Sequence, residues 1–307
     1  MKIRSAEARF DEAAMVLPPE IREKVYRFTN TERQEIEEFR LRVGRPMTCV
    51  FAKEERSPDL TQRVKSRDLE RVLEIASEAS FHTVADKVKN GFVTIRGGHR
   101  IGLCGTAVVR EGEVTNLRQL SSLCVRIAKE VPGAAKPLLP RIAPNGTLGN
   151  TLILAPPGAG KTTLLRDLIR MLSDGEGIPF KRIGIADERG EIAAMYGGMP
   201  QMNVGEHTDV VDGCPKAAGL MMLLRGMRPQ VLAADEITAP EDIRALEQAA
   251  GCGTQLIATA HGYSMEDLKQ RPLYRKLMEE ALFSYIVLIR VRDGMRQYEV
   301  LPAGNVI

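Results

Sequence analysis

Apolar and polar positions change rhythm along the chain. Over 66–76, Leu69, Val72, Leu73 and Ala76 recur three and four residues apart, the spacing of one helical face. Ser66 is placed to cap that helix. Upstream, 35–51 (EIEEFRLRVGRPMTCVF) alternates on either side of V-G-R-P and predicts a hairpin. Earlier still, helical patterns are interrupted at Pro18 and Pro19, proline being tolerated in a first helical turn. Residues 91–109 (GFVTIRGGHRIGLCGTAVV) combine glycine with β-branched residues and predict tightly turned strands. Residues 1–131 therefore read as a smaller N-terminal α+β domain. Pro132, Pro137, Pro140 and Pro144 then mark an irregular connection. Beyond it the period alternates: strand 151–155, helix 161–172, strands 182–187 and 231–235, helix 241–250, strand 254–259. Such alternation predicts an α/β domain over 132–307, a mainly parallel sheet with helices on both faces.

The strand TLIL runs directly into APPGAGKTT (155–163), a glycine-rich turn closed by Gly-Lys-Thr: the P-loop arrangement. The expected phosphate cradle is Pro157, Gly158, Ala159, Gly160, Lys161, Thr162 and Thr163. Gly158 and Gly160 permit positive φ, so that successive N–H groups turn inward around an anion. The helix opening near Lys161 adds the positive end of its dipole. Lys161 is placed to reach the β and γ phosphates of ATP, and the Thr162 hydroxyl to ligate Mg²⁺. Ala155 takes the first position of the motif, where glycine is usual; it suits the turn provided its φ stays negative.

Hydrolysis further needs a held metal and an oriented water. Residues 231–236 (VLAADE) end an apolar strand on two carboxylates, and such strand ends face the ligand crevice of an open α/β sheet. Asp235 is placed to hold Mg²⁺, usually through its water, and Glu236 to polarise the attacking water. A second acidic cluster, Asp187, Glu188 and Glu191, follows the strand IGIA and is expected at the same crevice. Glu188 therefore competes with Glu236 as general base, Glu236 being favoured. In ATAHG (258–262), Thr259 and His261 end another strand, and His261 is a candidate sensor of the γ-phosphate. An arginine finger is sought among Arg225, Arg228, Arg96, Arg100 and Arg126.

Charge and composition narrow the alternatives. Lys plus Arg is 43 against 40 for Asp plus Glu, a net charge of +3, and the aromatics are 8 Phe and 6 Tyr with no Trp. That is little of the basic, stacking groove used by single-strand binders, which argues against nucleic acid as a partner. A nucleic-acid-dependent, helicase-like translocase is accordingly the runner-up reading. Positive charge does gather locally, with five basic and no acidic residues from Lys87 to Arg110. The five cysteines include no C-x-x-C pair and are expected to be reduced and mostly buried. Residues 1–40 carry both charge signs and no apolar leader segment, and apolar runs such as 217–224 fall short of the ~20 residues that cross a bilayer. A cytoplasmic protein, at most peripheral on a membrane, is expected.

Together these motifs resemble the ATPases of type II secretion, type IV pili and type IV secretion. There a P-loop is followed by an "Asp box", a Walker B segment preceded by Leu-Arg and Pro, and a "His box". The matching residues are Lys161 and Thr162, Asp187 and Glu188, Leu224-Arg225 with Pro229 leading to Glu236, and His261. A closer resemblance, to the stage III sporulation protein AA family, rests on LAPPGAGKTTLLRDLIR, IGIADERGEIA, LLRGMRPQVLAADEI and ATAHG, with GFVTIRGGHRIGLCGTAV in the N-terminal half. The resemblance implies a RecA-like P-loop NTPase core in a homo-oligomer, a hexamer, that hydrolyses ATP with Mg²⁺. It also implies work at the cytoplasmic face of the mother-cell membrane, with membrane proteins of a channel linking mother cell and forespore. Secretion motors commonly show Gly-Glu followed by Arg-Asp; here Asp235-Glu236 is followed by Ile237-Thr238, with no arginine directly after the glutamate.

Overall fold

Alternation on either side of a glycine turn is enough to form the first hairpin. In a computed structural model that describes residues 4–77, 91–292 and 295–303, strand β1 (Glu38–Arg42) pairs antiparallel with β2 (Thr48–Val50). Phe39, Leu41 and Cys49 turn inward from them. A short β3 (Glu55–Arg56) extends the sheet. On the other side lie β6 (Glu113–Arg126), β5 (Arg100–Arg110) and β4 (Phe92–Thr94), in the order β3-β2-β1-β6-β5-β4. Helices Ala6–Ala14 and Ser66–Ala76 supply Phe10 and Leu69 to this core. Ser66 is the first helical residue rather than the cap: Lys65 holds the cap position, and its N–H donates to the Asp68 carboxylate at 2.7 Å. Residues 87–90 of the basic run lie outside the described residues.

The chain divides into two compact units, one running up to Glu130 and taking Ala194–Gln201, the other comprising Val131–Ala193 and the chain from Met202 onward. In the first unit Arg9, 2% exposed, explains the capture of 194–201. Its guanidinium donates to the Gly97 carbonyl, the Glu130 carboxylate and the Gln201 carbonyl. The Gln201 side-chain oxygen in turn accepts the Gly97 N–H at 2.9 Å.

The second unit is built on a seven-stranded sheet. Its strands are β7 (Thr151–Ala155), β8 (Ile183–Asp187), β9 (Thr208–Asp212), β10 (Val231–Ala234), β11 (Gln255–His261), β12 (Tyr285–Arg292) and β13 (Met295–Pro302), in the order β13-β12-β7-β11-β10-β8-β9. Every neighbouring pair is parallel except β12 with β13. The central strands are buried on both faces, which demands cover on each. Helices Lys216–Met227 and Pro240–Gly251 pack on the face carrying Leu152, Leu154, Leu232 and Leu256. Ile153, Ile185, Ala233 and Ile257 point the opposite way and are equally buried. Helix Lys161–Asp174, packed on β7, β8 and β11, covers that side. The proline-rich stretch folds as turns and a single helical turn, Leu139–Ile142, tied down where the Ala135 N–H donates to Asp167 at 2.8 Å.

Because β7, β11, β10 and β8 are adjacent and parallel, their C-terminal ends emerge at one edge. His261 is in register with Ala155, Ala258 with Ala234, and Ala234 with Ala186. The P-loop, His261, Asp235-Glu236 and Asp187-Glu188 are thereby brought together from four separate stretches of sequence. The cysteines depart from expectation. All five are free, but only Cys49 is buried, and Cys104 and Cys252 are exposed.

Candidate active site

Ala155 ends β7 in extended conformation, and the chain turns through Gly158 at φ +76° and Gly160 at φ +96°. Helix Lys161–Asp174 then begins with no side chain capping it. Its first-turn N–H groups, at Lys161, Thr162 and Thr163, have no intrahelical partner, and this opening at a glycine turn is suited to an anion. Pro157 and Gly158 are exposed on the turn, and Ala159 is buried beneath it. Lys161 is only 5% exposed. Its ammonium donates to the carbonyls of Ala155 (3.0 Å) and Pro156 (3.3 Å) and lies 2.8 Å from His261 Nδ1. Burial pulls the lysine pKa down, against the opposing pull of Glu236, Asp235 and Glu191.

Opposite stands Asp235, directly past β10. Its carboxylate accepts the Thr162 hydroxyl at 2.6 Å and also the Thr259 hydroxyl. Burial raises its pKa, the two threonine hydrogen bonds oppose that, and Glu236 and Glu191 add to the rise. A desolvated carboxylate touching a P-loop hydroxyl suits a divalent cation. Among the described residues no cluster of three or more His, Cys, Asp or Glu side chains could hold a metal alone.

Glu236 is pinned at every polar atom. Its φ of +51° lies in the left-handed region that non-glycine residues seldom occupy. Its N–H donates to Thr259 Oγ1 at 2.8 Å, and its carbonyl accepts from Lys216 Nζ at 2.5 Å. One carboxylate oxygen meets His261 Nε2 at 2.5 Å, the other Arg189 Nη1 at 2.7 Å. With the Lys161 ammonium donating to Nδ1, His261 Nε2 is left to donate to the Glu236 carboxylate. Lys161, His261, Glu236 and Arg189 therefore form one hydrogen-bonded chain across the hollow.

The second acidic cluster separates into different tasks. Asp187, 2% exposed, does not offer a free carboxylate to the crevice; it accepts the N–H groups of Glu191 (2.8 Å), Ile192 (3.1 Å) and Ala193 (2.8 Å). Burial raises its pKa in spite of those bonds. Arg166, from the P-loop helix, holds the same loop from the other side by donating to the carbonyls of Glu191 and Ile192, both at 2.6 Å. Asp187→Ala would leave three N–H groups unsatisfied, so unfolding stability should fall by about 3 kcal/mol. A thermal melt of the purified variant measures this. Glu188 is exposed and 3.4 Å from Lys216, which is itself buried and 3.5 Å from Asp242. With Glu236, Glu188 lines the hollow beside Asp235.

Arg225 is exposed in the last turn of helix Lys216–Met227, about 13 Å along the axis from Lys216. Arg228 follows the same helix and is exposed. In the other unit Arg100 stacks on Phe92 and Arg126 lies 3.6 Å from Glu38. The arginines at the hollow itself are Arg189, on Glu236, and Arg296, whose Nε donates to the Ala159 carbonyl at 3.0 Å. Arg189 stands inside the acidic motif and was legible as a neighbour of Glu188. Arg296 and Lys216 carry no motif signal.

Comparison with known proteins follows the same lines. The pilus retraction motor PilT with bound ADP aligns at a TM-score of 0.60 and 17% identity, over 88% of this chain and 82% of that one. The ATPase DotB of Legionella pneumophila aligns at 0.60 and 16% identity, over 89% and 79%. The fold is therefore that of the P-loop secretion ATPases. In sequence, the Arabidopsis thaliana protein SEEDLING PLASTID DEVELOPMENT 1 is 30% identical over 156 residues, half of this chain and 22% of that protein. The stage III sporulation protein AA of Bacillus subtilis strain 168 is 42% identical over 97% of both chains. The family described as sporulation stage III, protein AA, matches residues 7–298, spanning both units and every residue of the hollow, and this chain belongs to it.

Proposed function

We propose that this protein is an ATP-hydrolysing motor of the secretion-ATPase type that powers a channel apparatus between mother cell and forespore during sporulation. One observation carries the reading: an uncapped, glycine-turned helix start meets a buried lysine, the Thr162–Asp235 pair and the His261–Glu236 pair at one sheet edge. The N–H groups of 158–163 wrap the phosphates, and Lys161 exchanges its carbonyl and His261 contacts for phosphate oxygens. Thr162 and Asp235 are the residues that would hold Mg²⁺, which would supply neutralising charge to the phosphates. Glu236 orients the attacking water and takes its proton. His261, between Lys161 and Glu236, registers whether the phosphate site is filled.

The motor works as a hexamer, in which Arg225, exposed in the last turn of its helix, is the candidate finger toward a neighbouring subunit's nucleotide. Among the described residues no helix is long and apolar enough to cross a membrane. Membrane proteins of the channel are the proposed partners, holding the motor at the cytoplasmic face. Particle mass and phosphate release, each measured with and without Mg²⁺-ATP, test the proposal. A sixfold mass with Mg²⁺-dependent phosphate release is expected; a monomer that releases none overturns it.

A further inference from the structure

We infer that Arg296, on the last strand of the sheet, is a nucleotide-positioning residue that fixes one amide of the phosphate cradle. The inference rests on the nucleotide reading of the P-loop.

Register brings Arg296 to the loop. β12 is parallel to the P-loop strand β7, with Leu288 opposite Leu154, and continues to Arg292. β7 ends one residue later, at Ala155, so β12 overshoots the sheet edge by roughly 10 Å at about 3.3 Å per residue. β13 returns antiparallel, pairing Met295 with Arg292 and Arg296 with Val291. The start of β13 consequently overhangs the turn that carries the glycines.

The contact itself is specific. Arg296 Nε donates to the Ala159 carbonyl at 3.0 Å. That carbonyl and the Gly160 N–H belong to one planar peptide unit and point in opposite directions, since peptide bonds among the described residues are trans. Holding the carbonyl toward Arg296 turns the Gly160 N–H to the other side, the sense an inward-facing cradle donor requires. Gly160 is also the residue against which the guanidinium packs. A Cβ there would stand 2.7 Å from Nε and 3.3 Å from both Cζ and Nη2. Its φ of +96° favours glycine at 160, and a side chain there would push the guanidinium aside. Arg290, on the same hairpin, is instead paired with Glu299 at 2.9 Å and serves as the control.

The test is equilibrium binding of ATP and ADP, followed by steady-state hydrolysis, for the wild type, Arg296→Ala, Arg296→Lys and Arg290→Ala. Loss of a charge-assisted contact and of the fixed amide predicts about a tenfold rise in Kd for both nucleotides in Arg296→Ala. The KM for ATP should rise equally, with kcat at saturation within about twofold. Arg296→Lys should recover only part of the affinity, because lysine keeps the charge but not the fixed geometry of the guanidinium. Arg290→Ala should bind as the wild type does. A wild type that binds ATP, with Arg296→Ala binding equally well, overturns this inference alone. A wild type that binds neither nucleotide overturns the nucleotide reading and this inference with it.

Discussion

Glu236→Gln should reduce steady-state phosphate release by about a thousandfold while leaving ATP bound, since a positioned general base contributes roughly 10² to 10⁴ in rate. The amide is isosteric with the carboxylate. It keeps an oxygen for His261 Nε2 or Arg189 and leaves untouched the backbone bonds to Thr259 and Lys216 that hold residue 236 at φ +51°. What disappears is the capacity to take a proton from water. Phosphate release and filter-bound ATP, measured on the same sample, separate the two effects. Glu188→Gln is the informative comparison. Glu188 is exposed and faces Lys216 rather than His261, so its loss should leave most of the turnover. Normal hydrolysis by Glu236→Gln beside a dead Glu188→Gln would reverse the assignment of the base.

Lys161→Ala should abolish nucleotide retention without unfolding the protein. An ammonium bonded to phosphate is worth about 2–3 kcal/mol, so ATP affinity should drop roughly 100-fold. In the nucleotide-free chain the same ammonium is buried against two carbonyls and an imidazole nitrogen, with a pKa lowered by burial. Its removal gives up those contacts but also the cost of a desolvated charge, so the melting temperature without ligand should move by only a few degrees. The wild type should gain about 2.7 kcal/mol of stability when ATP is present at about a hundred times its Kd. Lys161→Ala should gain almost none under the same conditions, and melts run with and without Mg²⁺-ATP show the difference. A variant that still rises with ATP would mean that the nucleotide binds somewhere other than this loop.

Legibility of the fold followed the strength of the local signal. Strands buried on both faces, such as Val231–Ala234, are short apolar runs between turn residues, and they lie within a residue or two of the positions their pattern predicts. The long hairpin of Arg100–Arg110 and Glu113–Arg126 is different. Its second strand (EVTNLRQLSSLCVR) is largely exposed and carries little apolar alternation, so only pairing with its neighbour reveals it. The run 217–224 is apolar enough for either a strand or a helix, and packing against β8 and Pro240–Gly251 decides for helix. Capture of Ala194–Gln201 by the first unit depends on Arg9 and Gly97, each about 100 or more residues distant in sequence, and no local pattern announces it.

Sequence alone determined the parts whose chemistry is local. A glycine turn between strand and helix leaves N–H groups without intrahelical partners, and an apolar strand ending in Asp-Glu places carboxylates at a sheet edge. Both consequences follow from backbone geometry within a dozen residues. Tertiary structure decided which of the charged side chains meet. Asp187 became a brace for its own loop; Lys216 was carried under the Glu236 carbonyl; Arg189 reached the Glu236 carboxylate, and Arg296 the P-loop. Long charged side chains are nearly interchangeable in a sequence pattern, and their partners are fixed by strand order and register, which emerge only when distant segments pair.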